Sequence, residues 1–154
     1  MSIISWNCQG LGNPKAVQNL HTLVKEKDPV LLFLMETRLD VKRIEKIQVR
    51  VGFQYAFIVP SKGRSRGLAL LWRDPTTVWV QTYLRHHIDA HIQMDKEPVW
   101  RLTGFYGHPE AQKRHETWRL LKHLGRIEKM PWLSLSDFNE ILSQEEKQGK
   151  RESH

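Results

Sequence analysis

The sequence predicts one domain of the α/β class, built in layers from mixed sheets and helices (α+β layered). Apolar segments of strand length recur along the 154 residues, and amphipathic helical patterns lie between several of them. The order is strand, helix, strand, helix, several hairpin-like strands, helix and strand, which favours mixed sheets covered by helices. With 40% hydrophobic residues, the chain has enough apolar surface for one core of ordinary size.

The predicted strands are apolar segments separated by turn-forming residues. Turn signals occur at 62–67, at Asp74-Pro75 and at 96–98, where glycine, proline and charged residues are concentrated. The strands are predicted at 3–6, 30–35, 55–59, 68–72, 78–83, 88–94, 100–106 and 132–135.

The first predicted helix has clear start and stop signals. Asn13 is a typical N-cap, Pro14 suits the first helical position, and the breaker Asp28-Pro29 ends the pattern. The residues predicted to share its buried face are Val17, Leu20 and Val24.

A second helix is predicted to begin at Asp40 and to end at Gly52, and a third to begin at about Glu110. The buried face of the second helix is predicted to contain Val41, Ile44, Ile47 and Val51. The buried face of the third is predicted to contain Trp118, Leu121 and Leu124.

No linker divides the chain, so residues 1–142 form the single predicted domain. Residues 143–154 are polar and charged and show no apolar periodicity, which predicts a disordered tail.

The charge balance predicts an anionic partner. Lysine and arginine outnumber the acids 24 to 17, giving a formal charge of +7 and a pI of about 9.7. Such a charge favours nucleic acid, with an acidic membrane surface as the alternative.

Cysteine usage and the apolar runs bear on the compartment. Cys8 is the only cysteine, which excludes an internal disulfide and a cysteine-based zinc cluster and favours a reducing compartment. The N-terminus has no leader pattern, and the longest apolar runs are too short to span a bilayer. We therefore expect an intracellular protein, nuclear or cytoplasmic, with no membrane partner.

Histidines cluster in one predicted strand, at His86, His87 and His91. Their spacing invites a metal site. Because alternate apolar residues of this strand point inward, we predict instead that Asp89 and His91 lie on the other face and that the histidines are surface residues.

Small polar groups follow several of the predicted strands. They are Trp6-Asn7, Met35-Glu36-Thr37, 104–108 and 136–139. Functional side chains gather at strand ends, because the sheet fixes their position while the following loop leaves them open. One carboxylate at such a junction is commonly a surface residue, but four polar groups in one chain favour a shared site.

The same four segments carry a family resemblance. The blocks "SWNCQGLG" (5–12), "LMETRL" (34–39), "TGFYGHP" (103–109) and "SDFNEIL" (136–142), with "GRSRGLALLW" (63–72) between them, resemble the endonuclease/exonuclease/phosphatase family. The resemblance runs from residue 2 to about 149 and is strongest to the apurinic/apyrimidinic-endonuclease-like N-terminal domains of plant non-LTR retrotransposons. It implies the N-terminal part of a four-layer α/β sandwich, with strands of the second sheet beyond residue 154.

Cleaving a phosphodiester requires a cation on the phosphate oxygens and a group that orients or deprotonates water. The resemblance implies Glu36 as the ligand of Mg²⁺, or of Mn²⁺, with Asn7 supporting the ion or the phosphate. It also implies that Asp137 activates water, while Asn139 and Tyr106 bind phosphate oxygens of a DNA substrate.

The turn before the fourth strand is basic, with Lys62, Arg64 and Arg66. These residues are predicted to contact nucleic-acid phosphates, and solvated surface charge is the alternative. Arg66 stands where relatives often have glycine.

Three departures from the family pattern bear on activity. Ser136 replaces a glycine, which would cost about 1 kcal/mol if the backbone there needed positive φ. Gln9 stands where related repair enzymes often have an aspartate. The family's C-terminal Asp-His motif has no counterpart within the 154 residues.

Two functional hypotheses follow. The first is a Mg²⁺-dependent phosphodiester hydrolase acting on DNA, with activity impaired by the missing motif. The second is an inactive retrotransposon remnant that binds nucleic acid weakly and in a salt-sensitive way.

Overall fold

The computed structural model describes residues 2–63, 66–106 and 130–137. For Ser136 and Asp137 it describes the backbone alone. Every predicted strand is present, with ends that differ by at most two residues. The predicted third helix and the tail from 143 to 154 lie outside the described residues. The elements are β1 (Ile3–Asn7), α1 (Pro14–Lys27), β2 (Leu31–Met35), α2 (Val41–Val51), β3 (Tyr55–Val59), β4 (Leu68–Trp72), β5 (Thr76–Leu84), β6 (His87–Met94), β7 (Trp100–Tyr106) and β8 (Trp132–Asp137).

The strands form two mixed sheets, as the sequence predicted. In the first, the order is β1-β2-β4-β3, with β1 parallel to β2 and the other pairs antiparallel. In the second, the order is β5-β6-β7-β8, with β8 parallel to β7 and the other pairs antiparallel. The predicted α/β fold class is therefore confirmed.

The two sheets and the helices α1 and α2 stack as layers around the central strand β2, which is buried along its whole length. Leu32 and Leu34 pack with the two helices, while Leu31, Phe33 and Met35 pack against the second sheet. Side chains of a strand alternate between faces, so an unbroken apolar strand can supply both cores at once.

Both helices begin and end where the sequence indicated. The carboxamide oxygen of Asn13 accepts a hydrogen bond from Lys15 N at 2.8 Å, and a carboxylate oxygen of Asp40 accepts one from Arg43 N at 3.0 Å. Gly52 closes α2 at φ 85°, a left-handed position that favours glycine. Val41 differs from its prediction, since it is 38% exposed in the first turn of α2.

The outer face of the second sheet differs from its prediction. Asp89 and His87 lie on the side of β6 away from the apolar core, as the alternation indicated, but each is only 2% exposed. The Asp89 carboxylate accepts hydrogen bonds from Arg101 Nε at 2.8 Å and from Thr103 Oγ1 at 2.7 Å. Trp132 covers this pair, since its indole N–H donates to Thr103 Oγ1 at 2.9 Å and its ring lies 5.1 Å from the Arg101 guanidinium. The expectation of surface positions was wrong for Asp89 and His87, because this face is covered.

His87 should make stability depend on pH. Its ring stacks on Phe105 at 5.6 Å, and its Nδ1 has no hydrogen-bond partner among the described residues. Burial, and then His86, lower the pKa of His87 to about 4, against the opposing charge of Asp89. In the unfolded chain His87 takes up a proton near pH 6.5, whereas the folded chain does so only near pH 4. We expect a loss of about 1–2 kcal/mol as the pH falls through this window.

Urea unfolding at pH 7.5, 6, 5 and 4 measures this loss. His87→Gln should flatten the pH dependence between 6.5 and 4, and His21→Gln, in α1, serves as the matched control that keeps it. An unchanged slope in His87→Gln would assign the effect to other groups.

No helix in the described part of the chain has the length and apolar character needed to cross a bilayer.

Candidate active site

Four polar side chains that the sequence indicated as site residues lie close together where the two sheets meet. Strands β1 and β2 are parallel, so Asn7, the last residue of β1, and Glu36, the first after β2, emerge at the same edge. Tyr106, the last residue of β7, comes to this edge from the second sheet. Arg66 joins them, because its Nη1 lies 2.6 Å from Glu36 Oε1 and 3.0 Å from Tyr106 Oη.

The backbone around Glu36 is held from both sides. Gly10 N donates to the carbonyl of Glu36 at 2.8 Å, and Arg38 N donates to the carbonyl of Arg66 at 2.8 Å. Glu36 itself has φ 52°, a left-handed conformation that is uncommon for a residue with a side chain. Such strain persists only where the surroundings impose it, and it is found most often at functional sites. The carboxylate of Glu36 is therefore fixed in position.

Gly67 makes this arrangement possible. It has φ +87°, and a Cβ at this position would clash with Thr37 Oγ1 and lie 3.2 Å from Ser61 N. Its carbonyl also accepts a hydrogen bond from Thr37 N at 3.3 Å. A side chain at this position would push the loop after β2 away from the turn that carries Arg66.

Glu36 is buried yet ionised. Only 4% of the residue is exposed. Burial by itself would raise the pKa of Glu36, but hydrogen bonds from Arg66 and Asn7, together with the Arg66 charge, outweigh it and hold the pKa below its ordinary value. Arg38 adds a second guanidinium, with Nη2 3.4 Å from Glu36 Oε1. The site thus presents a fixed carboxylate that stays charged at neutral pH.

Asn7 orients this carboxylate. Its carboxamide oxygen accepts a hydrogen bond from Gln9 N at 3.0 Å. A carboxylate only accepts hydrogen bonds, so the bond between Asn7 and Glu36 is donated by the amide nitrogen. The neighbouring Cys8 is inert, because burial and then the Glu36 charge raise the pKa of its thiol to about 12.

Tyr106 supplies a protonated phenol. Burial, and then the negative charge of Glu36, raise the pKa of Tyr106. Its O–H donates toward Glu36, and the Arg66 guanidinium lies 5.9 Å from the centre of its ring. At neutral pH the phenol therefore remains a hydrogen-bond donor within the site.

The other predicted site residues have different outcomes. Asp137 is the last residue of β8, and its backbone pairs in register with Tyr106, which contacts Arg66. Lys62 is exposed on the turn before β4. Asn139 and Arg64 lie outside the described residues.

Two features of the site were not indicated by the sequence. The turn residue Arg66 was predicted to face phosphate, yet it forms an ion pair with Glu36, and Arg38 forms a second one. The only signal for Arg38 was its place in the block "LMETRL", two residues after Glu36. Ser136 causes none of the strain considered for it, because it lies in β8 and pairs with Phe105 in extended backbone.

The donor atoms suit a hard divalent cation with few protein ligands. Within the described ranges, no three His, Cys, Asp or Glu side chains form a group that could hold a metal ion. Mg²⁺, however, often takes one or two carboxylates and keeps several waters. The fixed, ionised carboxylate of Glu36 therefore fits Mg²⁺, with Asn7 as its neighbour.

The fold is similar to solved nucleases and phosphatases. The endonuclease domain of TRAS1, a telomere-specific non-LTR retrotransposon, matches with a TM-score of 0.62 and 9% identity over 97% of this chain and 67% of that one. The 3′ phosphatase NExo from Neisseria, bound to a product DNA hairpin, matches with a TM-score of 0.67 and 16% identity over 92% and 59%. An AP endonuclease from Archaeoglobus fulgidus matches with a TM-score of 0.54 and 18% identity over 80% and 49%.

The chain thus spans between about half and two thirds of the length of these three structures. Among curated protein sequences, none matches it significantly. The sequence profile of the Endonuclease/Exonuclease/phosphatase family matches residues 4–149, nearly the whole chain. The chain therefore belongs to the endonuclease/exonuclease/phosphatase family.

Proposed function

We propose that the chain is the endonuclease domain of a non-LTR retrotransposon, a Mg²⁺-dependent hydrolase that cleaves phosphodiester bonds in DNA. The observation that carries the proposal is the buried, ionised carboxylate of Glu36, which lies with Asn7 and Tyr106 where the two sheets meet. A fixed anion among hydrogen-bond donors is what a phosphate-cleaving site needs in order to hold a cation and orient a phosphate.

Each residue has a separate task in this proposal. Glu36 would hold the cation, with Asn7 keeping the carboxylate oriented through its amide nitrogen. When bound, Mg²⁺, or Mn²⁺ in its place, would neutralise charge on the phosphate oxygens. Asp137 would orient and deprotonate the attacking water, since a carboxylate can serve as a general base. The protonated phenol of Tyr106 would donate a hydrogen bond to the phosphate, as would the carboxamide of Asn139.

The surrounding charge supports DNA as the substrate. The chain has a formal charge of +7, and the segment before β4 contains Lys62, Arg64 and Arg66. Cationic side chains near a phosphate site strengthen binding to the DNA backbone without regard to sequence. The TRAS1 domain is an endonuclease, and the Neisseria phosphatase was solved with a DNA hairpin. A nuclear or cytoplasmic location is part of the same proposal.

Nicking of supercoiled plasmid tests this function. We expect the chain to nick in Mg²⁺ and to stop when the metal is chelated. Glu36→Gln and Asp137→Asn should each reduce nicking to the level seen with chelator, because one removes the charge that holds the cation and the other removes the base. The matched controls Glu45→Gln in α2 and Asp95→Asn after β6 make the same chemical changes away from the site and should leave nicking unchanged.

Circular dichroism must show that each variant keeps its fold before rates are compared. Nicking that survives chelation, or that both site substitutions leave intact, would contradict the proposal. So would a folded wild-type chain that cuts no DNA in Mg²⁺ or Mn²⁺.

A further inference from the structure

The carboxylate proposed to hold the cation already carries an internal cation. Arg66 Nη1 lies 2.6 Å from Glu36 Oε1, the shorter of the two guanidinium contacts that Glu36 makes within the described residues. Arg38 Nη2 lies farther away, at 3.4 Å from the same oxygen. The negative charge of Glu36 is therefore compensated by the chain itself.

A guanidinium and a divalent cation compete for such an oxygen. Mg²⁺ lies about 2.0–2.1 Å from its oxygen ligands, closer than any hydrogen-bond donor. An ion at that distance and the guanidinium nitrogen would crowd each other around Oε1, and both are positive. Repulsion between them adds to the competition, because the site is partly shielded from water.

We propose that Arg66 is an internal counter-ion of Glu36, which a divalent cation must displace in order to bind the carboxylate. This inference rests on the proposed function, since it takes Glu36 as the cation ligand. It assigns Arg66 a role that its place on a basic turn does not indicate, namely control of metal affinity.

The geometry identifies Arg66, rather than Glu36, as the partner that moves. The side chain of Glu36 is 6% exposed, and hydrogen bonds to the backbone on both sides hold its residue in place. The side chain of Arg66 is 42% exposed and ends a flexible stem. Its other described contacts are with the hydroxyl and ring of Tyr106. An arginine so placed can turn into solvent when a divalent cation takes over its charge compensation of Glu36.

Binding of Mn²⁺ alone, followed by electron paramagnetic resonance of the free ion, tests the inference without any measurement of activity. Arg66→Ala should bind Mn²⁺ about tenfold more tightly than the wild-type chain, the size expected when a partly exposed ion pair no longer competes. The matched control is Arg50→Ala, which removes the same charge from an exposed position in α2. Arg50→Ala should bind Mn²⁺ as the wild type does, because the effect is local.

The double variant Arg66→Ala/Glu36→Gln should lose the tighter Mn²⁺ binding of Arg66→Ala, because the carboxylate that Arg66 leaves free is then absent. If Arg66→Ala binds no more tightly than the wild type while Glu36→Gln weakens binding, the inference fails and the proposed cation site stands. If Glu36→Gln changes Mn²⁺ affinity in neither background, the cation site of the proposed function is wrong as well. If Arg50→Ala raises the Mn²⁺ affinity as much as Arg66→Ala does, the effect comes from net charge and the inference is also wrong. Thermal melts of all variants exclude loss of fold as the cause.

Discussion

Replacement of Arg101 by leucine should destabilise the chain by about 3–5 kcal/mol, because it would leave the carboxylate of Asp89 buried without a countercharge. Asp89 and Arg101 are each 2% exposed, and their two contacts, at 2.8 and 3.1 Å, form a two-pronged ion pair. A folded domain is stable by only about 5–15 kcal/mol in total, so this loss would bring the chain near its unfolding limit.

Urea denaturation compares the free energy of unfolding of the wild type, Arg101→Leu and the double variant Asp89→Leu/Arg101→Leu. The double variant should recover much of the loss, because a buried pair replaced by apolar side chains leaves no charge uncompensated. Arg85→Leu removes an arginine from the exposed turn between β5 and β6 and should cost less than about 0.5 kcal/mol. A cost below about 1 kcal/mol for Arg101→Leu would mean that water reaches Asp89.

The sequence predicted those parts of the fold that local chemistry determines. Asn13, Asp40 and Gly52 have the residue types that end helices, and each occupies the predicted cap. The strands were readable because their apolar residues are bounded by turn-forming ones, and three of them, at 55–59, 68–72 and 100–106, begin and end where predicted. These signals act over a few residues, so one sequence is enough to show them.

The buried face of β6 was predicted incorrectly for a physical reason. Alternation in a strand shows which side chains share a face, and it placed Asp89 opposite the apolar core correctly. It does not show what covers that face. The cover includes Trp132, which lies in β8 and reaches Thr103 and Arg101 from a distant part of the sequence. Arg101 of β7 then pairs with Asp89 of β6 across the two strands, in a buried position.

The sequence likewise predicted only part of the candidate site. The strand-end pattern and the family resemblance indicated Asn7, Glu36 and Tyr106, and the structure brings these three together. Their roles in catalysis remain predictions. The ion pair between Glu36 and Arg66 could not be read in advance, because it depends on how the turn before β4 packs against the loop after β2. Those two segments are 30 residues apart, and Gly67 allows their close contact.

The sequence also does not indicate which residues of the two sheets contact each other. One close contact between them is at Gly104. Gly104 lies in the middle of β7, where glycine is ordinarily a weak choice for a strand. Its backbone faces the ring of Phe33, from β2 of the other sheet, and an added Cβ would lie 2.5–2.8 Å from three ring atoms. Phe33 is 1% exposed and packs between the sheets, so its ring has little space into which it can move.

We therefore expect Gly104→Ala to destabilise the chain by about 2–3 kcal/mol. Alanine would gain about 0.4–1 kcal/mol by restricting the unfolded chain, but overpacking a closed core costs about 1–3 kcal/mol or more, and the close contacts place this site at the upper end. Urea unfolding measures the change, and Gly12→Ala is the matched control, because its nearest neighbour would be Leu39 Cδ2 at 3.9 Å. Adding Phe33→Leu to Gly104→Ala should restore part of the loss by making room for the methyl group. Two results would contradict the close contact between the sheets that brings Tyr106 to Glu36. One is an unchanged free energy of unfolding in Gly104→Ala. The other is an equal loss of stability from Phe33→Leu in the wild type and in Gly104→Ala.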